Sequence, residues 1–142
     1  MNKKEVNKIV KEYYSIISNK YSKCNPQVEI HFNIYERLSG IKGMSGSACA
    51  QGEYDWKENK IYLYTSQLNN EEDVIKTLIH ECVHSTENKL LFDIYYQFGY
   101  NYDTHPYEIK ARKAEKDWKD IKWYKFDKWM NDLGKKNGQT KY

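Results

Sequence analysis

The chain is short of cysteine, of net charge and of long apolar runs, and each shortage excludes something. Its three cysteines, Cys24, Cys49 and Cys82, are odd in number and far apart, with no C-x-x-C pair. Neither a disulfide framework nor a cysteine zinc site is indicated. The 23 basic and 20 acidic residues leave a net charge of +3 and are interspersed, so nothing demands a polyanionic partner. No segment is apolar for long enough to span a bilayer. Met1-Asn2-Lys3-Lys4-Glu5 runs straight into an amphipathic pattern, without the apolar core of a signal peptide. A reducing, cytoplasmic setting with no membrane partner is the expectation.

What is present is a polar chain rich in tyrosine, 14 in 142 residues. That length suits one domain with a single hydrophobic core, here taken as residues 1–133, followed by a polar, basic, mobile tail over 134–142. Val6, Ile9, Val10, Tyr13, Ile16 and Ile17 recur at helical spacing from about residue 3 to 21. After the turn signal Asn25-Pro26, Val28, Ile30, Phe32 and Ile34 alternate with polar residues, which predicts a half-buried strand with His31 on its surface side. Gly40, Gly43 and Gly46 punctuate a flexible loop; no G-K-S/T follows, so it is not a phosphate loop. Segments 47–54 and 61–65 flank the polar turn 55–60 and predict a β-hairpin. The small residues around Ser47-Ala48-Cys49-Ala50 mark a candidate sheet edge on which an extended peptide could pair. The fold class that emerges is α+β, with a small, mostly antiparallel three-stranded sheet.

The strongest signal is His80-Glu81-Cys82-Val83-His84, an H-E-x-x-H pentad, and it falls where a helix is independently expected. Asn70 can cap the start, and Glu71, Glu72 and Asp73 complement the positive end of the helix dipole. Val74, Ile75, Leu78, Ile79, Cys82 and Val83 form one apolar face. At roughly 100° per residue, His80 and His84 stack one turn apart off that face, with Glu81 beside them. Two imidazoles so placed can hold one Zn²⁺, and the carboxylate can reach a water on it.

A catalytic zinc site takes three protein ligands and one open position. Downstream, Leu90, Leu91, Ile94, Tyr95 and Phe98 predict a short aromatic-rich helix ended by Gly99. This segment can wall a pocket and offer a tyrosine hydroxyl to the transition state. His105-Pro106-Tyr107-Glu108-Ile109-Lys110-Ala111 then opens a helix, with Thr104 or His105 as cap and Pro106 at the first position. Apolar residues as far as Leu133 suggest one long helix, or two broken near Tyr124. Glu108 is the leading third ligand, because Ala111 one turn on lets that helix approach closely. His105 is the competitor, and Glu87 and Glu115 are weaker alternatives. If Glu108 is the ligand, His105 at the cleft rim could donate a hydrogen bond to a developing oxyanion.

His80-Glu81-x-x-His84 followed by Pro106-Tyr107-Glu108-x-x-Ala111 resembles the zincin-fold metallopeptidases, and is similar to the small single-domain gluzincins, or minigluzincins, many of them bacterial or phage-encoded. The order of N-terminal helix, strands, metal helix and ligand helix fits that resemblance along most of the chain. It implies zinc held by His80, His84 and Glu108, with Glu81 as general base and proton shuttle. It also implies a peptide or protein substrate bound along a sheet edge near residues 47–54. Larger gluzincins carry an Asp one turn after the ligand Glu to orient a liganding His; position 112 here is Arg. The expected reaction is amide hydrolysis by a water that zinc acidifies to a pKa of about 7 and Glu81 deprotonates.

Two other classes remain. One is a zinc-stabilised domain without catalysis. The other is an interaction module: Lys110 to Lys136 interleaves basic residues with Trp118, Trp123 and Trp129. Glu115, Asp117, Asp120, Asp127 and Asp132 are mixed in, so this segment reads as a solvated helix face with a Trp-lined core side, and nucleic acid is not the expected partner. The oligomeric state is open.

Overall fold

A computed structural model describes residues 1–46 and 49–136. In chain order the elements are α1 (Lys3–Tyr21), β1 (Gln27–His31), α2 (Ile34–Ser39), β2 (Gly52–Asp55), β3 (Lys60–Tyr64), α3 (Glu71–His84), α4 (Lys89–Gln97), α5 (Pro106–Glu115) and α6 (Trp118–Lys136), with a 3-10 turn at Thr65–Gln67. The architecture is mixed α+β. Among the described residues no helix is long and apolar enough to cross a membrane.

β3 is the middle of the sheet and sets its two faces. Ile61 and Leu63 are fully buried and point one way; Tyr62 and Tyr64, also buried, point the other, as the two-residue period of a strand requires. On the first face lie α1 and α3, which bring Val6, Ile9 and Ile17 against Val74, Ile75, Leu78, Ile79 and Cys82. On the second, Arg37 of α2 stacks on the Tyr62 ring and donates to the Tyr64 hydroxyl at 2.8 Å.

The sheet corrects one expectation. β1 pairs with β3 in parallel and β2 pairs with it antiparallel, in the order β1-β3-β2. It is therefore mixed rather than mostly antiparallel. β2 and β3 form the expected hairpin, but β1, earlier in the chain, lies along the other side of β3, with α2, the glycine loop and β2 between the two in sequence. The strand around residues 28–34 also stops early, at His31. Asn33 caps a new helix there, its side chain accepting from the Glu36 N–H at 2.9 Å. His31 is half-buried rather than a surface residue, with Nε2 lacking a hydrogen-bond partner among the described residues.

The C-terminal helical stretch breaks at Lys116-Asp117, not near Tyr124. Asp117 there accepts a 2.7 Å hydrogen bond from the Tyr21 hydroxyl. Helix α6 continues through Gly134 to Lys136, and the remainder of the expected tail, 137–142, lies outside the described residues. Nor are the tryptophans of this helix a core lining: Trp118 packs against the core, but Trp123 and Trp129 are 63% and 56% exposed.

Candidate metal centre

Helix α3 is both the spine of the core and the carrier of the site. Asn70 caps it, accepting from the Asp73 N–H at 2.9 Å, and Glu71, Glu72 and Asp73 occupy its first turn. Its apolar stripe faces α1 and the sheet. The opposite face, carrying His80, Glu81 and His84, is buried too, each of the three being at most 7% exposed. Helix α5 lies across that face. Ala111 is fully buried at the contact, and its single methyl lets the two helices close up. Glu108, one turn earlier on α5, is thereby delivered to the histidines.

The three groups converge tightly. Nε2 of His84 is 3.1 Å from Nε2 of His80 and 2.7 Å from Oε1 of Glu108. Nε2 of His80 is 3.6 Å from the other Glu108 oxygen. Ligand atoms about 2.0–2.1 Å from a tetrahedral zinc stand about 3.3 Å apart, and the observed separations bracket that spacing. Glu81 also brings a carboxylate oxygen within 4.8 Å of a ring nitrogen of each histidine. Since Glu108 is closer, the innermost set is His80, His84 and Glu108, with Glu81 beside it.

The proton positions sharpen this. Nδ1 of His80 is 2.7 Å from Glu115 Oε2, and Nδ1 of His84 is 2.6 Å from Glu87 Oε1. A carboxylate only accepts, so both Nδ1 atoms carry the hydrogen. When the rings are neutral, both Nε2 atoms then present lone pairs to one another and to a third acceptor, the Glu108 carboxylate. Three acceptors cannot satisfy each other. They need a cation between them, a proton or a metal ion, and two nitrogens with one carboxylate oxygen are a zinc donor set. Each liganding imidazole backed by a carboxylate is also the usual outer arrangement of such sites.

The titration behaviour has the same cause. Burial alone would lower the His80 pKa, but hydrogen bonds to Glu108 and Glu115 outweigh it and push it up to about 10. His84 follows to about 9 through Glu108 and Glu87, again against burial. Burial would raise Glu108, yet the two imidazoles bring it down to about 2. Glu81 is raised, chiefly by burial, with the nearby imidazoles pulling the other way. No hydrogen bond to a described residue holds its carboxylate, which leaves it free for a water or a substrate amide.

The structure does not bring His105 to this cluster. It is fully buried. Its Nε2 lies 2.9 Å from the Phe92 carbonyl, and its Nδ1 accepts from the Tyr107 N–H at 3.0 Å as the cap of α5. With Nε2–H donating and Nδ1 accepting, neither nitrogen is available as a ligand or oxyanion donor. Glu87 and Glu115, weighed from sequence as alternative ligands, instead orient the two histidines. Glu115 lies seven residues past Glu108, two turns along the same face of α5, and that spacing is a signal the sequence does carry. Arg112, in the position one turn after Glu108, donates to the carbonyls of Tyr102 and Asp103 at 2.6 and 3.0 Å.

The cluster opens on a cleft of about 1080 Å³. One wall is β2 and the residues just before it, Cys49, Ala50 and Gln51; the opposite wall includes Tyr96, Tyr102 and Arg112. These narrow the tyrosines of the aromatic segment that face the site to two. Ser47 and Ala48, part of the expected edge, lie outside the described residues. Gly52 is small for a reason other than substrate access: a Cβ there would fall 2.6 Å from Thr77 Cγ2 and 2.7 Å from the Tyr62 carbonyl oxygen. The strand is pressed between α3 and β3. No protein-family model matches the chain, and no curated protein or solved structure matches it significantly.

Proposed function

We propose that this chain is a zinc-dependent metallopeptidase, with His80, His84 and Glu108 holding the ion and Glu81 acting as general base. The observation that carries the reading is the convergence of two Nε2 atoms and a carboxylate at 2.7–3.6 Å, with both Nδ1 atoms already committed to Glu115 and Glu87. Three protein ligands beside an open cleft favour catalysis over a structural role, since structural zinc sites are closed by a fourth protein ligand. Bound there, zinc would acidify a water and polarise the scissile carbonyl.

The chain's own groups supply the rest. Glu81 takes a proton from the attacking water and passes it to the leaving amine nitrogen. Its raised pKa suits both halves of that transfer. β2 offers a place for an extended peptide. Tyr64 N–H bonds the Gln51 carbonyl at 2.9 Å, so by antiparallel alternation residues 53 and 55 face β3. The peptide groups of Gly52 and Tyr54 then face the open side, ready to pair with a substrate backbone. Tyr96 and Tyr102 on the opposite wall are the candidates to bond a developing oxyanion.

The test joins metal content to turnover. Wild type should carry one zinc per chain and cleave an unstructured protein such as casein. Glu81→Gln should keep the zinc and lose about 10²–10⁴ in rate. A fully active Glu81→Gln protein, or a chain that retains zinc after Glu108→Ala, would refute the assignment.

A further inference from the structure

Helix α6 leaves the body of the protein with one face uncovered. Ile121 is buried, Lys122 bridges to Glu71 at 2.8 Å and Lys125 donates to the Glu12 carbonyl at 2.9 Å. From Trp123 to Lys135 no side chain is buried. Yet this stretch holds Trp123, Phe126, Trp129, Met130 and Leu133, each between 38% and 63% exposed. Trp123, Phe126 and Trp129 touch in sequence along the helix, with ring centroids 5.8 and 6.1 Å apart. An apolar groove of about 350 Å³ opens between Trp118, Trp123 and Phe126. A helical extension of this length is not stable by itself in water, so something should cover it.

Spacing and charge say what. Trp123, Phe126, Met130 and Leu133 are three, four and three residues apart, the seam of a two-stranded coiled coil. Five half-exposed large side chains leave roughly 400–500 Å² per copy, so a pair would cover roughly 800–1000 Å², the size of a weak, transient contact. In a parallel pair the residues flanking the seam meet five apart along the chain, which sets Asp127 of one copy beside the Lys122–Glu71 ion pair of the other. Away from the seam and the body of the protein the helix carries Lys128 and Lys135 with Asp132. That pattern suits water and does not suit an anionic lipid surface.

We propose that the exposed seam of α6 docks a second copy of this chain, forming a parallel homodimer through Trp123, Phe126, Met130 and Leu133. The contact is modest, with a dissociation constant of roughly 1–100 μM for so small an area. It does not depend on the metal centre.

Sedimentation velocity of the full chain from about 1 to 300 μM tests it, that range spanning the expected constant. Wild type should shift from monomer to dimer. The double substitution Phe126→Glu with Met130→Glu should stay monomeric throughout, with unchanged circular dichroism and zinc content. Should that protein fail to fold, Asp127→Lys alone serves instead, and should weaken the dimer several-fold. A wild type that is monomeric at every concentration overturns the proposal, as does a folded variant that dimerises like wild type. Monomeric protein that cosediments with phosphatidylcholine–phosphatidylserine vesicles also overturns it, and gives the face to a membrane instead.

Discussion

Glu115 Oε2 stands 2.7 Å from Nδ1 of His80, so one helix supplies both a candidate ligand, Glu108, and the carboxylate that orients another. Glu87 does the same for His84 at 2.6 Å. Outer carboxylates of this kind typically contribute 10–100-fold to metal affinity. Glu115→Gln and Glu87→Gln should therefore each weaken zinc binding by about that factor while leaving one ion per chain at saturation. Competition with a chelator of known affinity measures it; unchanged affinity in both variants would remove the orienting role.

Zinc and protons should compete for the same nitrogens. The pKa values of His80 and His84 are raised in the ion-free protein, to about 10 and about 9, so their favourable contacts with Glu108 are complete below the unfolded value of about 6.5 and fade above pH 9. The ion requires unprotonated Nε2. Affinity should rise with pH across the neutral range, and binding near pH 7 should release protons. Calorimetry in buffers of differing ionisation enthalpy counts them, and a count of zero would contradict the raised pKa values of the two histidines.

His105→Ala should damage the fold and spare the stoichiometry of the metal. The substitution removes a helix cap and a buried hydrogen bond to the Phe92 carbonyl, together about 2–4 kcal/mol. Urea denaturation should register the loss while zinc content stays at one per chain. Loss of zinc from a folded variant would restore His105 as a ligand.

Gly52→Ala places a methyl against Thr77 Cγ2 and the Tyr62 carbonyl. Neither neighbour can swing aside freely, so β2 should shift, at about 1–3 kcal/mol. Under the peptidase reading, hydrolysis should fall with it, because the moved strand carries the pairing edge. A variant with wild-type stability would mean that the strand is held more loosely than its contacts indicate.

Glu36 gives a second pH dependence, remote from the metal. Its buried carboxylate is held at about 2 by Lys3 and by the N–H groups of Gly43 and Phe32, against the upward push of burial. A depressed folded value means stability that is complete above about 4.5 and lost as pH falls towards 2. Glu36→Gln should flatten acid unfolding in that window and loosen the loop beginning at Gly40, which hydrogen exchange at Gly43 would detect.

The legible parts of this protein were those written locally. Asn70, the acidic first turn and the apolar stripe announced α3; the two histidines declared themselves by spacing, and Ala111 explained how Glu108 could reach them. The parallel pairing of β1 with β3 was not readable, because it joins residues some thirty positions apart and leaves no trace in either strand. Helix α2 was readable but overridden: Asn33 and Glu36 carry a capping signal, while Phe32 and Ile34 prolong the strand pattern. His105 misled because a capping histidine and a liganding one look alike until both nitrogens are placed. Trp123 and Trp129 misled because sequence cannot tell a side chain that faces the core from one that faces outward.

The hairpin turn holds one further consequence. Trp56 donates its indole N–H to the Glu87 carbonyl at 3.1 Å, and its ring centroid lies 6.1 Å from that of His84. The same residue that anchors the turn thus rests against a candidate ligand, while the other three tryptophans belong to α6. Quenching of indole emission by a paramagnetic ion such as Co²⁺ would therefore start at Trp56, giving an optical readout of occupancy that needs no added label.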